Sequence, residues 1–175
     1  MIDTTIIPKL VKRVEEADGI TLDGKRAIIN QPLGVARAIE LANKKIAVTV
    51  TNVEEARECR DAESATHTEV IIIGVHATGM DKKAAKEVIK IVDIIAGCAS
   101  FAIRDAVGGR ALAQAGTGVS SLALTRRGKE LLLGRAKEVS SPILINTMKL
   151  PVLPEEKQPA PTFEVLLWNT SMSMG

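Results

Sequence analysis

Three apolar runs, KIAVTVT (45–51), EVIIIGVH (69–76) and DIIAGCA (93–99), recur along the chain with helix-like stretches between them. EVIIIGVH is apolar at nearly every position, as a strand buried on both faces of a parallel sheet must be. The stretches between carry helix start signals. In NVEEARECRDAE, Asn52 and Glu55 stand in capping-box register, and Asp81 precedes KKAAKEVIKIVD as an N-cap. After the third run, Ser100 opens SFAIRDAVGG, and Gly108–Gly109 stop it.

Strands that alternate with helices fold as right-handed βαβ crossovers. The pattern therefore predicts a three-layer, Rossmann-like α/β domain over 1–150, with a mostly parallel sheet covered on both faces. There are too few βα units to close a barrel. Upstream, IPKLVKRVEEA sets Leu10, Val11 and Val14 at helical spacing with Thr5 as cap, and Pro32 opens a helix that Asn43 closes. Downstream, RALAQAGTGVSSLALT reads as two extended pieces around a glycine loop. RRGKELLLGRAKEVS reads as a helix with Leu131 and Leu132 turned inward, and PILINTMKLP as a last strand or extended segment. Residues 151–175 are Pro-rich without periodicity, an extended tail that ends in an apolar Leu166–Trp168 stretch.

Composition narrows the function classes. The net charge of +2 leaves no electrostatic footprint for nucleic acid, and three aromatic residues make no stacking platform for single strands. No apolar run approaches the roughly 20 residues that cross a bilayer, and the N-terminus has no signal-peptide layout. Cys59 and Cys98 are too few for a disulfide scaffold. The chain is expected to be cytoplasmic, with reduced thiols and neither nucleic acid nor membrane as partner.

In an open parallel sheet, ligands bind beyond the carboxyl ends of the strands. Those ends bring Thr49, Thr51 and Asn52 together with His76, Thr78 and Gly79, then Cys98 and Ser100, then Gly116, Thr117 and Gly118, then Asn146 and Thr147. Cys98 lies just before a helix N-terminus, where the dipole favours a thiolate. It could be a nucleophile or a soft-metal ligand, or only a small apolar filler in a tight turn. His76 could carry protons beside it or merely be hydrogen-bonded at a strand end. Arg104, within one helical turn, could hold an anionic ligand beside the thiol. A closed zinc site is disfavoured, since four convergent N/S ligands cannot be assembled. AGTGVS lacks the Gly-Lys-Ser/Thr of a phosphate loop and reads better as a turn, so no cofactor is named. Arg126, Arg127 and Lys129 open a helix at the end whose dipole they oppose; an anion nearby or a solvated face would explain them.

Several stretches, in order from about residue 4 to 151, resemble the methanogenesis marker protein 8 family of methanogenic archaea. They include IIPKLVKRVEEADGITLD, QPLGVARAIELANKKIAVTV, VHATGM, VDIIAGCAS, ALAQAGTGV, LALTRRGKELLL and PILINTMKLP. The resemblance implies a cytoplasmic archaeal protein tied to methanogenesis, in cofactor assembly or enzyme maturation, and brings no reaction with it. Family members are longer at the N-terminus, so this chain corresponds to their C-terminal portion.

Two functions follow as expectations. One is a cofactor-handling protein whose Cys98 and His76 act on a small anionic molecule that Thr49, Asn52, Thr78, Gly79, Ser100, Arg104, Gly116 and Thr117 help to hold. The other is a non-catalytic module that forms a homo-oligomer or docks on a methanogenesis enzyme complex through the rim or the tail.

Overall fold

The computed structural model describes residues 2–4, 6–22, 27–116 and 119–141. The predicted last strand and the Pro-rich tail lie outside them. A two-stranded antiparallel ribbon, β1 (Ile2–Thr4) with β2 (Ala27–Ile29), precedes the main sheet, and α1 (Pro8–Glu15) lies between its strands in sequence. Then follow α2 (Gln31–Glu40), β3 (Lys45–Val50), α3 (Val53–Ala65), β4 (Glu69–Gly74), α4 (Lys82–Val88), β5 (Ile94–Ala96) and α5 (Phe101–Val107). A hairpin of β6 (Ala113–Ala115) and β7 (Ser121–Ala123) leads into α6 (Arg126–Lys137).

The five-stranded sheet has the order β3-β4-β5-β7-β6. β3, β4 and β5 are parallel, as the alternation requires, but β7 runs antiparallel to both β5 and β6. The sheet is thus parallel at one end only, and the expectation of a mostly parallel sheet is corrected there. The reason is length: no helix separates β6 from β7, and a short loop can only reverse the chain. The result is a mixed α/β fold.

Burial alternates along β3 and β4. Val70 and Ile72 of β4, Val50, Ile95 and Leu122 join one core with Val35 of α2, Ala56 and Cys59 of α3, Val88 of α4 and Ile103 of α5. Four helices therefore cover one face. The opposite face carries α6 alone among the described helices, docked where Gly128 meets Ile94; a Cβ on Gly128 would sit 2.3 Å from the Asp93 carbonyl oxygen, so only glycine allows this approach. The predicted inward stripe of α6 is correspondingly reduced: Leu132 is half-buried and Leu131 exposed. Over β3 and β4 the outer face stays open, with Ala47 and Thr49 exposed and Ile71 and Ile73 half-buried. The third layer is partial among the described residues.

Local signals placed most helix starts. The side chains of Asn30, Asn52, Asp81, Ser100 and Thr125 each accept a backbone N–H of the helix that follows. In the predicted capping box the Asn52 side chain accepts from Glu55 N at 2.8 Å, while Glu55 reaches back to Thr51 N at 2.9 Å rather than to Asn52. The exception is α1. Its N-cap is Ile7, with no side-chain hydrogen bond, and Thr5 lies outside the described residues.

The two faces are tied together through Asp93, which is fully buried. One carboxylate oxygen accepts from Arg127 Nε and Thr125 Oγ1, both at 2.7 Å; the other accepts from Arg60 Nη2 and Ile72 N, both at 2.9 Å. Arg60 also donates to the carbonyls of Val70 and Ile91, and Glu63 pairs with both arginines. The anion near the α6 N-terminus is therefore internal: Arg127 stands over Asp93 and Glu63, and Arg126 pairs with Glu130. Burial raises the Asp93 carboxyl pKa, but hydrogen bonds from Arg127, Ile72, Arg60 and Thr125 outweigh it and hold the group below its usual range. For Glu63, burial is likewise overcome by hydrogen bonds from Arg127, Val70 and Arg60, which bring it to about 2.

A carboxyl whose folded pKa is depressed contributes stability above its unfolded value and loses it as pH falls through the folded one. Glu63 alone should cost the fold on the order of 3 kcal/mol between about pH 4.5 and pH 2. Urea unfolding followed across that range should show the loss, and Glu63→Gln should flatten it. A stability curve that Glu63→Gln leaves unchanged would contradict the coupling.

Candidate functional site

The carboxyl ends of β3 and β4 open into a cleft of about 360 Å³. Its walls are the first turn of α3, with Thr51, Asn52, Val53 and Glu54, and the loop into α4, with His76, Thr78, Gly79, Met80, Asp81 and Ala84. Five of the predicted rim residues, Thr51, Asn52, His76, Thr78 and Gly79, are thus brought together. Among the described residues the cleft is lined by two carboxylates, Glu54 and Asp81, and by no Lys or Arg. Asp81 is committed to capping α4, accepting from Lys83 N at 2.7 Å and Ala84 N at 2.8 Å.

A second group of predicted residues stands at the end of β5. Ser100 is buried and caps α5 through Ile103 N at 3.3 Å. Arg104 donates from Nη2 to the carbonyl of Cys98 at 2.9 Å, which braces the turn that carries the thiol. Gly97 makes room for Ser120 and for the Arg104 guanidinium: a Cβ there would lie 2.6 Å from Ser120 Oγ. The backbone at Gly97 approaches its own protein, donating to Ser120 O at 2.6 Å. Cys98 is half-buried and is not among the residues lining the His76 cleft.

The two groups share one backbone peculiarity. His76 (φ 55°) and Cys98 (φ 45°) both adopt the left-handed conformation. Each lies two residues beyond the end of its strand, and β4 and β5 are parallel neighbours with Gly74 paired to Ile95. Non-glycine residues reach this region at a cost of order 1 kcal/mol, and such residues cluster where side chains must be aimed. The sequence carried no signal of it at Cys98, and only the mild tendency of histidine toward this region at His76.

The remaining rim residues separate. Thr49 lies within β3, opposite Ile73 on the open face. Gly116 (φ 77°) is exposed in the β6–β7 turn, where its carbonyl accepts from Gln114 Nε2 at 2.9 Å. Thr117, Gly118, Asn146 and Thr147 fall outside the described residues. Among the described residues no group of three or more His, Cys, Asp or Glu side chains could hold a metal ion. No described helix is long and apolar enough to cross a membrane.

The two thiols differ sharply. Cys59 is fully buried, and burial, with Glu55 and Glu58 nearby, pushes it up to about 11. At pH 8 about one Cys59 thiol in a thousand would be ionised, and it sits in the core. Iodoacetamide at pH 8 should therefore label Cys98 at least about 100-fold faster than Cys59, read by peptide mass spectrometry. Equal rates would remove Cys98 from consideration as a reactive group.

The comparisons with known proteins agree on the lineage. No solved structure matches. "Uncharacterized protein MJ0054" of Methanocaldococcus jannaschii is 41% identical over 161 residues, which is 92% of this chain and 56% of that protein. The chain thus spans a little over half the length of this curated relative. A family model described as "Uncharacterized protein conserved in archaea (DUF2099)" matches residues 1–137. With most of its length inside that match, the chain belongs to the DUF2099 family of archaeal proteins.

Proposed function

We propose that the chain is part of a cytoplasmic protein of methanogenesis, one that handles a small molecule during cofactor assembly or enzyme maturation. The reading is carried by one observation: the exposed imidazole of His76 and the half-buried thiol of Cys98 are both held in left-handed backbone beyond neighbouring strands. Local strain at two chemically active side chains at one edge of a sheet favours a ligand over a structural role. In this reading His76 moves a proton, Cys98 is the nucleophile, and the cleft polar groups Asn52, Thr78 and Gly79 orient the molecule. An anionic part of it would be met on the Cys98 side, where Arg104 stands, because the cleft itself presents Glu54 and Asp81. The likeness to the methanogenesis marker protein 8 family and the methanogen relative support the pathway assignment.

The second reading, a non-catalytic assembly module that self-associates or joins a methanogenesis enzyme complex, draws on the exposed apolar side chains of α1.

His76→Gly separates the readings. Glycine relieves the left-handed strain at an exposed position, so the variant should be as stable as the parent or up to about 1 kcal/mol more stable in urea. Protein produced in a methanogen and purified without oxygen should carry a bound small molecule by native mass spectrometry, which His76→Gly and Cys98→Ala each lose. A parent that carries nothing, or variants that retain the same ligand, would count against the site.

A further inference from the structure

Helix α1 has no buried residue. Its apolar side chains Ile7, Leu10 and Val14 fall on one helical face, and all three are exposed. Around it the same condition recurs: Ile20 is 59% and Ile29 54% exposed, and Leu33 at the start of α2 is also open. Of the fourteen large apolar side chains exposed among the described residues, eight lie between positions 7 and 41, so the exposure is concentrated in the N-terminal part rather than scattered.

Such a unit cannot hold itself together in water. An eight-residue helix is well below the length at which isolated helices persist, and most helical stability comes from packing an apolar face. A ribbon of two three-residue strands is equally marginal. The main core supplies little: it draws Val35 and Ile39 from α2 and no described side chain from α1. Leu22 lies near Gly34 of α2.

What covers the face must accompany the family. The family model takes in residues 1–137, so the apolar face belongs to the shared unit. The relative from Methanocaldococcus jannaschii carries a further 44% of its own length outside the matched stretch. A segment tethered in the same polypeptide meets this face at high effective concentration. We infer that the exposed apolar face of α1, β2 and the start of α2 is the docking surface for the part of the longer family protein that lies outside this chain. The mating surface on that part is apolar, and it completes a second, smaller core beside the main one.

The test joins that additional stretch of the relative to the full 175-residue chain, at the end where the relative carries it. Amide exchange of residues 8–15 and fluorescence of the apolar dye ANS are then compared with the chain alone. In the chain alone the α1 amides should exchange without protection and the dye should bind. In the joined protein, α1 should gain at least tenfold protection and dye binding should fall. Leu10→Glu in the joined protein should reverse both changes, and Lys12→Glu should reverse neither. The β4 amides serve as the control that the main core is folded in every sample. With β4 protected, an unprotected α1 in the joined protein would overturn the inference. So would protection of α1 in the chain alone: if it grows with concentration the cover is a second copy, and if it does not the cover is 142–175.

Discussion

The carboxylate of Asp93 is the point on which the rest of this fold depends. It sits at zero exposure at the entry to β5 and accepts from two arginines, a threonine and a backbone amide. A buried charge is tolerable only when paired and fully hydrogen-bonded, and here the four bonds come from three elements. Arg60 belongs to α3, Ile72 to β4, and Thr125 and Arg127 to the start of α6. One residue therefore ties the helix-covered face of the sheet to the single helix on the other face. Gly128, in the same turn of α6, permits the contact by approaching the Asp93 carbonyl.

That anchor lies at the end of the sheet opposite the rim where chemistry would take place. The parallel strands start among the ion pairs and finish at His76 and Cys98, so the strained backbone is carried at one end while the other is fixed. Backbone in a sparsely populated conformation persists only where its surroundings over-determine it. At Cys98 the surroundings are visible: Arg104 holds the carbonyl, Ser120 the neighbouring amide, and Ser100 the helix that follows. His76 is held by continuity with β4 and by the α4 cap at Asp81, five residues further on, while its ring remains exposed to the cleft.

Elements governed by local chemistry were legible in the sequence. The caps at Asn52, Asp81 and Ser100, the strands at 45 and 69 and the turn at AGTGVS are each set by side chains within a few residues, and each is present. What depends on distant partners was not legible. The place of β7 between β5 and β6 follows from its pairing with β5, and the role of Arg127 follows from Asp93, thirty-four positions away. The cations opening α6 imply a nearby anion or a solvated face, but nothing local marks Asp93 as the partner of Arg127. The rim was legible as a set of residues, but its division into an acidic cleft at His76 and a braced turn at Cys98 was not. The apolar spacing of α1 was legible too, although its face finds no partner in the main core.

The central functional claim is that the thiol at 98 and the imidazole at 76 serve one site. The chain contains only two histidines, and the other, His67, precedes β4 at the opposite end of that strand. A six-residue strand spans about 20 Å, so the two rings stand at very different distances from the rim. A nitroxide attached to Cys98 should broaden the His76 ring-proton resonances beyond detection and leave those of His67 sharp. Sharp resonances from both rings, or equal broadening of the two, would contradict a shared site.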